Sequence, residues 1–182
     1  PYFRTLHSLA YLQIGILRNQ IMGRKDFEAV STWLKIGTFF GNEQEAGPFK
    51  DFGYGDKYLE LINIARITRL PLKQIYQESP SRHLVTWQNL EYVARGIAHY
   101  KKVHSMFDYT DMLEQFVSGD YCPKLEVVIV DEAQDLSALQ WKMVHKIAQR
   151  AEHVYIAGDD DQAIYRWAGA DIEHFINLDG AV

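Results

Sequence analysis

The chain has 182 residues and a single cysteine, 47% of its residues are apolar, and its formal net charge is −5 at pH 7. This length supports one or two hydrophobic cores, and the lone Cys122 excludes a disulfide framework and fits a reducing cytoplasm. No apolar run approaches the length of a membrane helix and no signal sequence is visible, so we expect a cytoplasmic protein without a membrane partner.

Apolar periodicity predicts three helices in the middle of the chain, over residues 22–34, 56–69 and 86–104. Residues 37–55 hold five glycines among aromatic residues, which is typical of a loop or hairpin region. The polar face of the third helix carries basic side chains, and an ordinary solvated face is favoured over a track for phosphates: Arg95, His99 and Lys102.

Residues 127–130 form an unbroken aliphatic run, Val-Val-Ile-Val, which predicts a strand buried on both faces of a parallel sheet. The run stops at Asp131 and Glu132. Residues at the carboxyl end of such a strand open into the crevice where α/β sheets bind ligands. Two carboxylates there could hold a divalent cation and a water against a bound phosphate, whereas the plainer interpretation is a solvated strand end.

A second apolar strand is predicted one helix later. Residues 136–150 have helical periodicity, with Ser137 near the start as a cap, and residues 153–157 are again apolar. A strand, a helix and a strand with short joints predict a βαβ unit with parallel strands. The polar residues 158–162, Gly-Asp-Asp-Asp-Gln, should therefore reach the same sheet edge as Asp131 and Glu132. This convergence favours a site over a solvated strand end.

The negative charge is concentrated in this part of the chain. Residues 1–120 hold 14 basic and 13 acidic residues, whereas residues 121–182 hold 5 basic and 11 acidic residues. Most of the excess acids belong to the two polar clusters, so the acidity indicates a cation site and says little about affinity for nucleic acid.

Both clusters resemble sequence motifs of a known enzyme family. Residues 128–135, Val-Ile-Val-Asp-Glu-Ala-Gln-Asp, resemble motif II, the Walker B box, of the UvrD/Rep group of superfamily 1 DNA helicases, and residues 157–171 resemble its motif III. Two weaker matches precede them in the family's order. Residues 5–10, Thr-Leu-His-Ser-Leu-Ala, are similar to the Thr-Phe-His-x-Leu box after motif Ia, and residues 108–113 to the Asp-Phe-x-Asp-Leu-Leu helix before motif II.

The resemblance implies an α/β fold that is part of a RecA-like P-loop NTPase motor domain with a parallel sheet. Residues 1–18 and 119–182 would belong to the motor domain, and the latter segment carries the Walker B box and motif III. Residues 19–118 would form an inserted, mostly helical subdomain of the kind called 1B, which commonly lies near duplex DNA in relatives.

The resemblance also assigns roles on the nucleotide side. Asp131 would bind Mg²⁺ through water, and Glu132 would be the catalytic residue that polarises the attacking water. Gln162 would sense the γ-phosphate of ATP and report its loss to the DNA site. Gln134 would take part in nucleotide sensing, and it and Asp135 would support this coupling.

On the DNA side, Trp167 and Tyr165 would stack on single-stranded bases and Arg166 would contact a phosphate. Thr5 and His7, in the box near the amino end, would also bind DNA. A buried core tryptophan and a hydrogen-bonded packing histidine are the structural alternatives for Trp167 and His7. Many relatives have arginine directly after the tryptophan of motif III, where this chain has Ala168, so any contact made by that arginine is in question.

The implied function is that of an ATP-dependent DNA helicase or translocase, with Mg²⁺ as cofactor and ATP as substrate, of the kind used in DNA repair or replication. Its partners would be single-stranded DNA, junctions of single- and double-stranded DNA, and the remaining helicase domains, with 3′ to 5′ movement expected from kinship. The alternatives are a helicase–nuclease subunit of the RecB/AddA kind and a non-catalytic DNA-binding or partner-docking protein with a degenerate motor.

The phosphate-binding loop Gly-x-x-x-x-Gly-Lys-Ser/Thr does not occur in these 182 residues. In the family it lies upstream of the Thr-x-His box, and the arginine-bearing motifs IV to VI follow motif III. We therefore expect the chain to be an internal fragment of a longer helicase that is inactive as an ATPase by itself.

Overall fold

The computed structural model describes residues 3–37, 54–163 and 169–178, with the backbone alone described for residues 54–56. The chain divides into two units. Unit 1 comprises Pro1–Ile16, Arg66–Arg69 and Tyr109–Val182, and unit 2 comprises Leu17–Ala65 and Leu70–Asp108. Most of the loop predicted over residues 37–55 lies outside the described residues.

Within the described ranges the chain forms α-helices, two strands and short 3₁₀ turns. The helices and strands are α1 (Leu6–Ile14), α2 (Arg24–Leu34), α3 (Tyr54–Thr68), α4 (Leu72–Glu78), α5 (Trp87–His104), α6 (Tyr109–Ser118), β1 (Leu125–Val130), α7 (Ala138–Ala148), β2 (Ala151–Ile156) and α8 (Ile172–Ile176).

The helices predicted over residues 22–34, 56–69, 86–104 and 136–150 are confirmed as α2, α3, α5 and α7. Helices α4 and α8 were not predicted, because seven- and five-residue segments are too short for a clear helical period. Among the described residues, no helix has both the length and the apolar character needed to cross a membrane.

Unit 2 is helical and has its own apolar core. Its fully buried centre is made by Val30, Leu90 and Val93, from α2 and α5. Helices α2 and α5 approach closely at Gly96, because a Cβ atom there would lie 2.6 Å from the buried Leu34 side chain. Glycine at this position therefore permits the packing of α5 on α2.

Unit 1 is built around a parallel pair of strands. Strands β1 and β2 pair from Leu125 opposite Ala151 to Val130 opposite Ile156, and α7 connects them. Helix α7 begins at a capping box in which Ser137 accepts from the Gln140 amide and the Gln140 side chain accepts from the Ser137 amide at 2.9 Å. The parallel βαβ arrangement predicted from the sequence is confirmed.

The prediction that the first strand is buried on both faces is wrong for the described residues. Side chains alternate along β1, so that Val127 and Ile129 are 50% and 73% exposed, while Val128 and Val130 are half-buried. Helix α7 packs on both strands and covers one face, and Tyr155 of β2 is also exposed. An all-aliphatic run does not reveal which of its two faces is covered.

A lysine of α7 caps the carboxyl end of α6. The Lys146 ammonium donates to the carbonyl oxygens of Phe116 and Val117, each at 2.9 Å, and to that of Gly119. These carbonyls have no partners within α6, and a cation complements the negative end of the helix dipole. The contact therefore fastens α6 to the helix between the two strands.

Replacing Lys146 by methionine should lower the free energy of unfolding by about 2–3 kcal/mol, because charged hydrogen bonds to several carbonyls are lost while the apolar stem is kept. Lys142→Met, on an exposed position one turn earlier in α7, is the matched control and should change it by less than about 0.5 kcal/mol. Chemical denaturation of both variants tests this. Equal effects of the two substitutions would contradict the capping role.

Candidate functional site

The two polar segments that follow the strands lie side by side. The Ala157 amide donates to the Val130 carbonyl at 2.8 Å, and the Ala133 amide donates to the Ala157 carbonyl at 3.0 Å. Backbone pairing thus continues beyond the last strand residues. Asp131 and Glu132 are exposed at the end of β1, and residues 158–162 are exposed at the end of β2. The predicted convergence of both clusters on one sheet edge is confirmed.

Gln134 joins the two segments through its side-chain amide. Its nitrogen donates to Glu132 Oε2 at 2.7 Å, and its oxygen accepts from the Asp159 backbone amide at 3.1 Å. The side chain is only 1% exposed. A carboxylate only accepts and a backbone N–H only donates, so the two partners fix the orientation of the amide.

Gln162 continues the connection at the β2 end. Its side-chain nitrogen donates to Asp159 Oδ2 at 2.6 Å, while Asp159 Oδ1 accepts from the Asp161 amide at 3.1 Å. A continuous series of hydrogen bonds therefore runs from Glu132 through Gln134 and Asp159 to Gln162. Asp159 was not distinguished from its neighbours by its sequence pattern, and its position at the start of a turn was the available signal.

Gly158 allows Gln134 to approach the end of β2. A Cβ atom at this position would lie 2.5 Å from the Gln134 side-chain oxygen and 2.8 Å from the Phe175 ring. The Gln134 side chain is buried and cannot move aside freely. A larger residue at 158 would separate Gln134 from Asp159.

Glu132 has an unusual backbone conformation for a side-chain-bearing residue. Its φ of 52° and ψ of 42° lie in the left-handed region, which costs a non-glycine residue about 1–2 kcal/mol. The Asp131 side chain accepts from the Glu132 amide at 3.0 Å and stabilises the turn. The strained turn places two adjacent carboxylates at the sheet edge, and such strain is concentrated at functional sites.

The carboxylates at this edge suit a magnesium ion held largely by water. Mg²⁺ takes oxygen ligands, keeps several waters and commonly binds through one or two carboxylates together with substrate phosphates. Asp131 and Glu132 supply such oxygens, and both are exposed. Over the described ranges, no group of three or more histidine, cysteine, aspartate or glutamate side chains is arranged to hold a metal ion. Two exposed carboxylates that leave room for water and phosphate oxygens fit Mg²⁺.

Comparison with known proteins places this arrangement in a family. A family model described as the UvrD/REP helicase N-terminal domain matches residues 3–182. The chain belongs to this family. The resemblance recognised from the motifs at residues 128–135 and 157–171 is thereby confirmed.

Several helicases are similar to the chain. DNA helicase II of Haemophilus influenzae is 36% identical over 191 aligned residues, which cover 93% of this chain and 24% of the relative. ATP-dependent DNA helicase PcrA of Bacillus subtilis is 39% identical over 59 residues, 32% of this chain and 8% of the relative. ATP-dependent DNA helicase Rep of Buchnera aphidicola is 38% identical over 55 residues, 30% of this chain and 8% of the relative. The chain spans at most 24% of the length of these three relatives.

The box near the amino end of this UvrD/Rep-family chain lies on α1. Thr5 caps the helix, because its hydroxyl oxygen accepts from the Ser8 amide at 3.2 Å. The His7 ring is half-buried and meets the Tyr109 ring edge-on, with centroids 6.0 Å apart, and burial lowers the pKa of His7. Leu6 packs against an apolar cluster of buried residues, Ala133, Leu136, Trp141 and Val144. The DNA-binding roles of Thr5 and His7 stay predictions.

The residues of motif III that were predicted to contact DNA, Tyr165, Arg166 and Trp167, lie outside the described residues. The structure resumes at Gly169 and Ala170, and Ala170 forms a bridge with Ser137 at the start of α7. The Asp171 amide then donates to the Leu136 carbonyl at 2.8 Å. The end of motif III is therefore attached to the segment after motif II.

Asp135 stands apart from the hydrogen-bond series. Its Oδ1 atom is buried without a hydrogen-bond partner among the described residues. Burial, followed by the charge of Glu132, raises the pKa of the Asp135 carboxyl above its ordinary value. The ionised carboxylate therefore destabilises the folded state at neutral pH.

Asp135→Asn should raise the melting temperature at pH 7, measured without divalent metal. A raised folded-state pKa means that stability present below the unfolded-state pKa is lost as the pH rises through the folded-state value. The gain from Asp135→Asn should therefore shrink as the pH falls and vanish below about 3, where both states of wild type hold the proton. Asp160→Asn removes an equal but exposed charge and is the control. A gain independent of pH would show that desolvation of the charge is not its cause.

Proposed function

We propose that the complete protein is an ATP-dependent DNA helicase that couples hydrolysis of Mg-ATP to movement along single-stranded DNA. Membership of the UvrD/REP helicase family supports the class of enzyme. The observation that supports coupling of hydrolysis to movement is the hydrogen-bond series from Glu132 to Gln162, because it links the end of β1 to the end of β2. The activity would belong to the complete protein and not to these 182 residues alone.

Unit 1 would form part of a RecA-like motor domain, and unit 2 its inserted 1B-like helical subdomain. The parallel strands with carboxylates at their carboxyl ends support the first assignment. The helical content and separate core of unit 2 support the second.

Glu132 would polarise the water that attacks the γ-phosphate of ATP. Gln134 donates to one oxygen of this carboxylate, which leaves the other oxygen to accept from a water. Fixing one oxygen also fixes the plane of the carboxylate, and a preorganised acceptor loses little freedom when the water binds.

Asp131 would hold Mg²⁺ through water beside this carboxylate. The bound ion would neutralise charge on the substrate phosphates and so favour their cleavage. The hydrogen bond from the Glu132 amide to Asp131 Oδ1 orients the Asp131 side chain at the sheet edge.

Gln162 would sense the γ-phosphate, and loss of that group would reach the DNA site along motif III. Gln162 is exposed and donates to Asp159 Oδ2, so any shift of its side chain acts directly on Asp159. Asp159 is joined through Gln134 to Glu132, so sensing and hydrolysis share one set of hydrogen bonds. We assign Asp159 to this coupling.

Trp167 and Tyr165 would stack on bases of single-stranded DNA, and Arg166 would contact a phosphate. Thr5 and His7 would contribute from α1. Junctions of single- and double-stranded DNA, the remaining helicase domains as partners, and 3′ to 5′ movement are proposed from kinship.

In the complete protein, Glu132→Gln should lower DNA-stimulated ATP hydrolysis by about 10²- to 10⁴-fold, because the shape is kept but the charge that polarises the water is lost. Nucleotide affinity should change little. Glu126→Gln, on an exposed position of β1, is the control and should leave turnover unchanged. Wild-type turnover in Glu132→Gln would remove this residue from the mechanism.

Trp167→Ala and Gln162→Ala should separate DNA binding from stimulation. Trp167→Ala should weaken binding to single-stranded DNA by about 1–3 kcal/mol, while basal ATP hydrolysis survives. Gln162→Ala should spare DNA affinity and lower the DNA-stimulated rate. Affinities and rates of both variants are measured in the complete protein. Unchanged DNA binding in Trp167→Ala would indicate that the tryptophan is a packing residue.

A further inference from the structure

Unit 2 has an aromatic groove between α2 and α5 that the proposed nucleotide chemistry does not use. The groove has a volume of about 500 Å³ and is lined by Ala29, Trp33, His99, Tyr100, Val103 and His104. Trp33 is 54% exposed and Val103 is 60% exposed. The neighbouring Val30 and Leu34 already fill the core beneath α2, so the Trp33 indole is not needed there.

Rings from the two helices are arranged as a stacking surface. The Trp33 and His99 rings lie within 24° of parallel with centroids 5.6 Å apart, and they come from different helices. The Tyr100 and His104 rings follow along α5, with centroids 4.3 Å apart. Trp33 is more than half exposed and can accept another flat ring on its free side.

The walls of the groove are held in place from below. Tyr100 donates through its hydroxyl to Asp26 Oδ1 at 3.2 Å and so ties α5 to α2. Burial and the neighbouring Asp26 raise the pKa of Tyr100, which keeps the hydroxyl protonated as a donor. The close approach at Gly96 fixes the same pair of helices. The groove is therefore formed in advance of binding, as ligand sites usually are.

The charge around the groove favours an anionic ligand. Each of the three carboxylates on α2 and α5 already has a donor: Asp26 accepts from Gly23 and Tyr100, Glu28 from Arg24, and Glu91 from Arg95. Lys25 lies one turn before Ala29 on α2 and continues the face that lines the groove, whereas Lys102 lies three residues after His99 on α5, beside the edge of that face. Both lysines are exposed.

We infer that this groove binds an unpaired base of a nucleic-acid strand, with the base stacked on Trp33 and the flanking phosphates near Lys25 and Lys102. The inference rests on the proposed function in one respect, since it takes nucleic acid as the ligand of the chain. Flat rings beside exposed cations match the two parts of a nucleotide, and such sites combine base stacking with phosphate contacts. An aliphatic peptide anchor would use neither the parallel rings nor the lysines.

The test compares two probes on the 182-residue chain: a thymidine oligonucleotide of about ten nucleotides and an abasic strand of the same length and charge. Wild type should bind the thymidine strand more tightly than the abasic strand. Trp33→Ala should weaken binding of the thymidine strand by about 5- to 150-fold, the range expected for one stacked base, and leave binding of the abasic strand unchanged. Fluorescence anisotropy of labelled strands measures both affinities.

Two further variants serve as controls. Tyr121→Ala removes an exposed aromatic side chain in unit 1 and should leave both affinities unchanged. Trp33→Phe keeps a ring and should retain most of the preference for the thymidine strand. Thermal unfolding of Trp33→Ala should match wild type, because the indole is more than half exposed. If Trp33→Ala unfolds early, Lys102→Gln decides the question, because loss of this charge should weaken binding of both strands, and unchanged affinities in Lys102→Gln overturn the inference.

The outcomes separate this inference from the proposed function. If Trp33→Ala has no effect while Trp167→Ala weakens binding of the thymidine strand, the groove is not a base site and the proposed function stands. If wild type does not distinguish the two strands, the groove binds no base and the inference is overturned, while the proposed function is decided separately by Trp167→Ala in the complete protein. Sedimentation measures self-association in parallel. If Trp33→Ala abolishes self-association and leaves DNA affinity unchanged, the groove is an interface between copies and the inference is overturned.

Discussion

The side-chain amide of Gln134 is the constraint on which the strand-end site depends. It is buried, and its donor and its acceptor are each used by a different strand end, at Glu132 and at Asp159. Leaving a buried polar group unpaired costs about 1–3 kcal/mol, so either contact breaks only at considerable cost. The ends of β1 and β2 must therefore keep their relative positions. This arrangement requires that residue 158 has no side chain, because a Cβ atom there would collide with Gln134.

This constraint has a cost in stability at neighbouring positions. Glu132 adopts a left-handed backbone conformation, and Oδ1 of Asp135 is buried without a hydrogen-bond partner in the part of the chain that the structure describes. Neither feature stabilises the folded state. The first belongs to Glu132, to which we assign catalysis, and the second lies three residues further along the chain. Capping contacts elsewhere in unit 1, such as Lys146 on the end of α6, act in the opposite direction. Strain at a site and compensation around it are the usual balance in enzymes.

The two proposed base-stacking positions have different grounds. The assignment of Trp167 is based on its position in motif III. The assignment of Trp33 is based on the nearly parallel His99 ring, on the carboxylates that already have donors and on the exposed lysines of α2 and α5. In the sequence analysis the basic residues of the third predicted helix were interpreted as an ordinary solvated face. The proposed base site would give two of them, His99 and Lys102, a different role. A groove needs two helices, whereas a helical period reports on one.

The sequence by itself determined the family, the parallel βαβ unit and the convergence of the two carboxylate clusters, because motif order and strand–helix–strand spacing are local properties of the chain. It also located α2, α3, α5 and α7 through their apolar periods. Three features required the tertiary structure: the open face of β1, the hydrogen bonds of Asp159 and the pairing of Trp33 with His99. Each depends on which distant segment lies opposite, at a separation of 25 residues for Gln134 and Asp159 and of more than 60 for the two rings. Burial and hydrogen bonding are decided by such partners, and periodicity carries no information about them.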